Sequence, residues 1–368
     1  MKKTLFAVLA VVAIASCAKN EVVKVEDNNQ ITFQTVVGPN TKAMINGATY
    51  GTGAPSFGTV AFYNKSGETF PTGAQTYIPL SEVKWDDTNN RWTTDAAYYW
   101  PKGGGTLSFF SYSPYTYQET GGTAIPVTVP DLTEGLVFAD YDVDAHQLTD
   151  LMVAEVVTGK TANDKEYAYG AGSYNGVPTV FRHKLAQVAG FVLKTDRDYD
   201  ATGDTAGDIK FTMNKIEFLG IAHKGTYTGK ITEADTDGWV EAATPVKDYE
   251  WDKADHVFST TAGITIATNE TTKPTIANNY LLVLPQTFED GKEKIKVTYT
   301  VSTFNGTAWV DDVVVRTVDL YDIHSDNHKW EMNKKITYTL TFGLEQIYWS
   351  PSVVDWDTTG YGYGPTIY

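Results

Sequence analysis

Thr106-Leu107-Ser108-Phe109-Phe110-Ser111-Tyr112 is a short run rich in aromatic residues, bounded by the glycines at 103–105 and by Pro114. Runs of this kind, punctuated by Gly, Pro, Asn and Asp, are typical of β-strands joined by turns. Similar runs recur along the chain at residues 31–37, 59–63, 151–156, 187–194, 210–219, 280–284, 294–301 and 335–342. No long segment shows a capped helical periodicity, so the pattern predicts an all-β fold made of β-sandwiches.

The composition agrees with this fold class and excludes one class of partner. The 368 residues are enough for about two domains. The chain holds 16 Phe, 23 Tyr, 9 Trp and 31 Gly against 5 Met, which favours strands and turns over helices. It carries 29 Lys and Arg against 45 Asp and Glu, a net charge of −16. Because phosphate backbones are bound by clusters of Lys and Arg, nucleic acid is not an expected partner.

The N-terminus has the features of an export signal. Lys2 and Lys3 precede an apolar run at 5–15, which is too short to span a bilayer and is typical of a signal peptide. Ile14-Ala15-Ser16-Cys17 resembles the bacterial lipobox, in which the cysteine is acylated and becomes the new N-terminus. We therefore expect a lipoprotein signal at 1–16 and lipidation of Cys17, with an ordinary secretory peptide as the alternative. Cys17 is the single cysteine, so no intramolecular disulfide is expected.

Motifs for catalysis or metal binding are incomplete. His324 and His328 have the spacing of a zinc-protease helix, but Ser325 stands where that motif needs Glu, which favours a surface loop. The acidic run at 140–144 alternates like a calcium loop, but Ala145 occupies the position that requires Gly, which favours a solvated acidic loop. No nucleophile elbow, P-loop or dinucleotide fingerprint is present. The sequence thus predicts no enzyme, no cofactor and no metal.

A domain boundary is expected near Arg182. A loop rich in Gly, Tyr and Ser at 167–176 precedes it, and a new apolar run begins after it. We therefore predict two β-sandwich domains in tandem, at 43–181 and 182–345.

Short motifs spread over most of the chain resemble the fimbrillin family. They are Tyr99-Trp100-Pro101, Leu107-Ser108-Phe109-Phe110-Ser111-Tyr112-Ser113-Pro114, Asp150-Leu151-Met152, Phe181-Arg182-His183-Lys184-Leu185-Ala186, Leu284-Pro285-Gln286 and Ser350-Pro351-Ser352-Val353-Val354-Asp355-Trp356. Each is short, but their common order behind a lipobox is specific. Trp100, Phe109, Tyr112 and His183 are expected to pack in the core, because aromatic residues in sandwiches usually do.

The resemblance implies a structural subunit of a type V pilus that supports adhesion, with transthyretin-like sandwiches. In that family a lipoprotein precursor reaches the outer membrane, and a trypsin-like protease cuts near its N-terminus. The cut removes the first strand, and a strand of a neighbouring pilin subunit fills the groove. The expected location is therefore the outer membrane for the precursor and a surface fimbrium for the product.

Applied to this sequence, the resemblance makes 31–37 the removable strand within a propeptide at 17–42. Lys42 is the expected cut site, before Ala43, because it is the one basic residue between that strand and Lys65. No Arg precedes Arg91, so an Arg-specific cut does not apply unaltered here.

The expected donor strand lies in the C-terminal tail at 346–368. Its candidate residues are Ile347, Trp349, Val353, Val354 and Trp356. The alternative is that 347–356 folds back as an ordinary strand of its own domain. A tip or anchor subunit of the same pilus, or a free surface lipoprotein that binds glycans, are the alternative functions.

Overall fold

The structure, a computed structural model, describes residues 29–37, 55–119, 121–129, 132, 134–164, 166–169, 172–232, 234–242, 246–250, 264–266 and 280–356. Cys17, Lys42 and Ala43 lie outside these residues. Nearly all regular structure is β, which confirms the predicted all-β class. Among the described residues, the named helical elements are α1 (Leu320–Ile323) and a 3₁₀ turn (Ala162–Asp164). Among the described residues, no helix has the length and apolarity needed to cross a membrane.

The first half of the chain is built mainly around one large sheet of eight strands. Its strands are β1 (Phe33–Val37), β2 (Phe57–Asn64), β3 (Gln75–Asp86), β4 (Arg91–Thr94), β5 (Thr106–Ser113), β6 (Val137–Asp142), β7 (Met152–Ala154), β8 (Val157–Lys160), β9 (Glu166–Tyr169), β10 (Gly172–Asn175) and β11 (Val177–His183). The sheet runs β2-β3-β4-β1-β11-β7-β5-β8, and β2 also pairs with β5. That extra pairing closes the sheet into a ring, which removes the free edges that an open sheet would expose.

The second half of the chain is built mainly around two facing sheets. Its strands are β12 (Ala186–Thr195), β13 (Ile209–Ala222), β14 (Lys224–Thr228), β15 (Gly238–Glu241), β16 (Val246–Glu250), β17 (Ile264–Ile266), β18 (Leu281–Val283), β19 (Gln286–Thr287), β20 (Lys294–Phe304), β21 (Trp309–Asp319), β22 (Lys329–Trp330), β23 (Lys334–Phe342) and β24 (Ile347–Asp355). The sheets run β18-β12-β23-β24 and β16-β13-β20-β21. Alternate residues of both sheets, such as Phe191 and Phe218, share one core, as in a sandwich.

The two halves are also joined by strand pairing. β6 of the first half pairs with β14 of the second, in a small sheet that β15 completes. Apolar residues from both halves, among them Phe138 and Tyr227, form a core cluster at this junction. The ring's last strand, β11, ends at His183, and the sandwich's first strand, β12, begins at Ala186. The predicted division between 181 and 182 stays a prediction.

Each of the strands expected from the apolar runs is present, with ends that differ by a few residues. The long strands β3 and β21 have no counterpart among the predicted runs. β3 has few buried positions and β21 has none, so neither shows the apolar alternation by which a half-buried strand is recognised.

Candidate functional site

The strand predicted to be removable, β1, lies inside the ring between β4 and β11. It pairs in parallel with β11, from Phe33 opposite Val177 to Val37 opposite Phe181. Its contact with β4 is antiparallel and much shorter, with Phe33 opposite Trp92. We call the space that β1 occupies between β4 and β11 the β1 slot. Because β1 joins the two flanking strands, the ring is closed only while this strand is in place.

The side chains of β1 and of the residues before it alternate across the slot. Ile31, Phe33 and Thr35 face the interior and are buried. The Phe33 ring meets Phe57 at 5.6 Å and Phe109 at 6.0 Å, both edge to face. This geometry is favourable for aromatic pairs, and Phe33 is part of the apolar cluster inside the ring.

The chain just before β1 is held by hydrogen bonds to the segment that contains the Tyr-Trp-Pro motif. The Ile31 amide donates to the carbonyl oxygen of Tyr98 at 2.8 Å, and the Trp100 amide donates to the carbonyl oxygen of Asn29 at 3.0 Å. Trp100 itself packs in the ring interior, 5.9 Å from Phe109. The predicted core positions of Trp100 and Phe109 are confirmed.

One polar group in the β1 slot has no partner among the described residues. Thr35 is 1% exposed, and its hydroxyl makes no hydrogen bond. A buried hydroxyl without a partner costs about 1–3 kcal/mol relative to a satisfied one. The strand therefore fills the slot well at Phe33 and less well at Thr35.

Of the predicted donor residues, Ile347, Trp349, Val353 and Val354 lie in β24, at the margin of the sandwich, and Trp356 follows that strand. β24 pairs antiparallel with β23 over its whole length. Ile347 is buried, Trp349 packs against the sandwich core, and Val354 is partly buried. Val353 is 46% exposed. In this subunit β24 is thus an ordinary strand of its own half, which was the alternative to a donor strand in the sequence analysis. The donor role of this segment stays a prediction.

Three of the sequence motifs meet where the chain leaves β24. The Trp356 ring stacks on His183 at a centroid distance of 4.3 Å and an angle of 6°. His183 Nδ1 lies 2.6 Å from the Asp150 carboxylate. Both His183 and Trp356 are buried, so the predicted core position of His183 is confirmed, as is that of Tyr112, which belongs to the same core cluster as Trp356. Through Trp356, the motif at 350–356 packs the end of β24 against the junction of the two halves.

The comparison with known families agrees with these motifs. The model of the fimbrillin-like family matches residues 41–356. This chain belongs to the fimbrillin-like family. That family consists of structural proteins, in agreement with the prediction that the chain is not an enzyme.

Solved structures of fimbrial proteins match this fimbrillin-like chain over most of its length. A fimbrial protein from Bacteroides vulgatus ATCC 8482 matches with a TM-score of 0.64 and 17% identity, over 89% of this chain and 99% of that one. The tip fimbrial protein Mfa3 from Porphyromonas gingivalis, truncated at its C-terminus, matches with a TM-score of 0.35 and 9% identity, over 89% of this chain and 100% of that one. At 17% identity, the first likeness shows a shared fold. No curated protein sequence matches the chain.

His324 and His328, the two histidines with the spacing of a metal site, each contact a tyrosine in the fimbrillin-like fold. His324 is buried, and its Nε2 lies 2.8 Å from the Tyr338 hydroxyl. His328 stacks on Tyr321 at 3.7 Å, and its Nδ1 lies 2.9 Å from the Tyr321 carbonyl oxygen. The expectation of a surface loop is therefore wrong for His324. Tertiary packing around Tyr338, rather than local sequence, decides its burial.

The surroundings of His324 favour the neutral imidazole. Trp330 Nε1 donates to the Tyr338 hydroxyl oxygen at 2.9 Å, and His324 Nε2 lies 2.8 Å from the same oxygen. Burial first, and then the neighbouring His328, lower the pKa of His324 to about 4.

This depressed pKa predicts acid sensitivity. Since the folded pKa lies below the ordinary value of 6.5, the unfolded chain binds the proton more readily between these two values. Stability contributed by neutral His324 is full above about pH 6.5 and falls by about 3 kcal/mol as the pH approaches 4. We expect His324→Gln, which keeps an acceptor for Tyr338, to lose less stability than the parent in urea unfolding at low pH. An equal loss in both proteins would contradict the prediction.

The acidic run at 140–144 is not simply a solvated loop. Its first part lies in β6. Asp142 receives hydrogen bonds from His223 Nδ1 at 2.8 Å and from Lys224 Nζ at 3.1 Å. Burial alone would raise the pKa of Asp142, but these partners outweigh it and lower the pKa. Lys247 Nζ neutralises Asp144 at 2.6 Å. The charges a cation would need are thus already compensated.

Proposed function

We propose that this fimbrillin-like protein is a structural subunit of a cell-surface pilus that supports adhesion. Its precursor is exported as a lipoprotein to the outer membrane through Cys17, and a trypsin-like protease cuts it between Lys42 and Ala43. The cut releases β1, and a segment from a neighbouring subunit then occupies the β1 slot. Family membership supports the pilus role, and the lipobox resemblance at Ile14–Cys17 supports the lipid anchor.

The position of β1 inside the ring carries the proposal. Loss of β1 would leave unpaired N–H and C=O groups along β4 and β11, and would expose the aromatic cluster around Phe57 and Phe109. Such an edge is a template for pairing with another chain. An added strand supplies both the hydrogen bonds and the apolar side chains by β-augmentation. Because the donor and the slot lie at different places on the subunit, the contact is head-to-tail, and when it repeats without closing into a ring it extends as a filament.

The unpartnered Thr35 hydroxyl supports release of β1 in favour of another strand. A donor that places an apolar side chain at this depth would avoid burying a hydroxyl without a partner. Exchange of β1 for such a strand would be favourable once the cut has separated β1 from the chain.

Two stretches of the C-terminal segment have the alternation that a donor needs. Ile347 and Trp349 repeat the spacing of Phe33 in β1 and of Ile31, which precedes that strand. In the segment after Trp356, which lies outside the described residues, Tyr361 and Tyr363 alternate with glycines. The proposed donor residues Ile347, Trp349, Val353, Val354 and Trp356 would have to leave β23 before they could enter a neighbour's slot.

Substitution of Lys42 tests the processing step. We expect the parent protein extracted from cells to begin at Ala43 and the Lys42→Ala variant to remain uncut and unpolymerised, because no other basic residue lies between β1 and Lys65. Intact mass gives the first residue, and electron microscopy shows the filaments. Lys65→Ala, at an exposed turn, is the matched control and should be cut normally. A Lys42→Ala product that begins at Ala43, or that polymerises like the parent, would contradict the proposal. A parent that begins at Cys17 would instead indicate an anchor or a binding lipoprotein.

Substitution of Cys17 tests the anchor. Each buried CH₂ of an acyl chain contributes about 0.8 kcal/mol to membrane binding, so a multiply acylated Cys17 would hold the precursor firmly. We expect Cys17→Ala to leave uncut precursor upstream of the outer membrane and to abolish surface filaments. Cell fractionation and filament counts measure both effects. Normal filament numbers on cells with this variant would rule out the anchor.

A further inference from the structure

β21 is a long strand with an unpaired side. It pairs along its whole length with β20, and among the described residues no strand pairs with its other side. It also presents apolar side chains to solvent. Val310, Val313 and Val315 are 55%, 63% and 48% exposed. A long exposed edge of this kind is a site for strand addition unless the chain blocks it.

The sequence of β21 is complementary to itself when two copies run antiparallel about Val314. In that register Val310 faces Val318, Val313 faces Val315, and Asp312 faces Arg316. By the two-fold symmetry each of these pairs occurs twice. Residues directly opposite in an antiparallel pair lie on the same face and contact each other, and opposite charges there are stabilising.

Asp312 and Arg316 have no strong partner within the described part of the subunit. Asp312 accepts no hydrogen bond there, and Arg316 donates to the carbonyl oxygen of the adjacent Val315 at 3.2 Å. Both residues are exposed. Each charge is therefore available to a second chain without the loss of an existing ion pair.

Asp312 and Arg316 also disfavour the neighbouring registers of the two antiparallel β21 strands. A shift of two residues in one direction sets Asp312 opposite Val314 and Arg316 opposite Val310, and the opposite shift sets Asp312 opposite Val318 and Arg316 opposite Val314. Either shift leaves both charges against valine. Charges on an edge strand usually prevent association, whereas here their spacing permits one register and disfavours the others.

We propose that the β21 edge binds the β21 edge of a second copy of this chain in that register. The contact is isologous and closes as a two-fold dimer, so it does not by itself extend a polymer. It lies on the sandwich of the second half, whereas the β1 slot lies in the ring of the first half. The dimer thus forms without cleavage, and in a filament it would join subunits side by side.

Sedimentation velocity of the detergent-solubilised, uncut precursor tests this dimer. We expect a monomer–dimer equilibrium that shifts with concentration. Arg316→Asp and Asp312→Arg each place like charges opposite each other across the dimer, at both of its symmetry-related positions. Each variant should therefore raise the dissociation constant by about tenfold or more. The exchange of both residues, Asp312→Arg with Arg316→Asp, restores opposite charges and should return the dissociation constant to near the parent value.

Lys84→Asp is the matched control for net charge. Lys84 lies on β3 in the first half, is half exposed, and gives the same change in charge as Arg316→Asp. It should leave the dissociation constant unchanged. Thermal melting of each variant checks that the monomer is intact. A parent that is monomeric at every concentration would overturn the proposal. So would an Arg316→Asp variant that dimerises like the parent, or a double variant that stays weak.

Discussion

Phe33→Ala is expected to destabilise the uncut precursor by about 3–5 kcal/mol, the usual cost of truncating a buried phenylalanine. Phe33 is buried in the β1 slot and meets Phe57 and Phe109 edge to face, so its removal leaves a cavity inside the closed ring. Urea unfolding of the precursor measures the loss. Since β1 leaves with the propeptide in the proposed mechanism, the variant should form filaments that are as stable as those of the parent.

Gln34→Ala is the control within the same strand. The Gln34 side chain lies on the opposite side of β1 from Phe33 and accepts a hydrogen bond from the Asn175 amide, so its loss should cost about 1 kcal/mol. A Phe33→Ala precursor that unfolds at the parent's urea concentration would show that β1 does not support the ring. Filaments weakened as much as the precursor would show that β1 is retained on assembly.

Two deletions of different length should separate the structural part of the C-terminal segment from the part that donates. Removal of residues 346–368 takes away β24, the buried Ile347 and the Trp356 ring that stacks on His183. Loss of a buried tryptophan alone costs about 3–5 kcal/mol, so this deletion should lower the melting temperature of the monomer strongly. Removal of residues 357–368 leaves β24 and Trp356 in place and should leave the melting temperature unchanged.

Polymerisation of the cut subunits then shows where the donor lies. If the donor extends beyond Trp356, the shorter deletion should fold as a monomer, stop growing ends and shorten filaments when mixed with the parent. If it polymerises normally, the donor is confined to Ile347–Trp356. A melting temperature unchanged by the longer deletion would contradict the structural role of β24.

Most strands could be predicted because apolar and polar residues alternate along each single segment. In β23, Ile336, Tyr338, Leu340 and Phe342 point inward and are buried, while the intervening residues are lysines and threonines. This period of two is visible without any knowledge of neighbours. β21 lacks it, because Asp312 and Arg316 stand at positions that would be apolar if the strand were covered.

The position of β1 could not be read from its sequence. Its alternation predicts a strand, but its partner β11 begins at Val177, far along the chain, and the parallel direction of their pairing leaves no local signal. The contact of His183 with Asp150 and Trp356 could not be predicted for the same reason, because these residues are far apart along the chain. Each residue was visible as part of a separate motif, and only the fold brings them into contact.

The parallel ladder between β1 and β11 also has a mechanical consequence. Hydrogen bonds in such a ladder are evenly spaced along the strands, and this one continues without interruption from Phe33 to Val37. A strand held in this position and pulled along its own axis loads all of these bonds together, rather than opening them one after another. A filament built on this slot would therefore resist tension at each joint with a whole row of bonds, and would yield more easily to a force that peels the strand from one end.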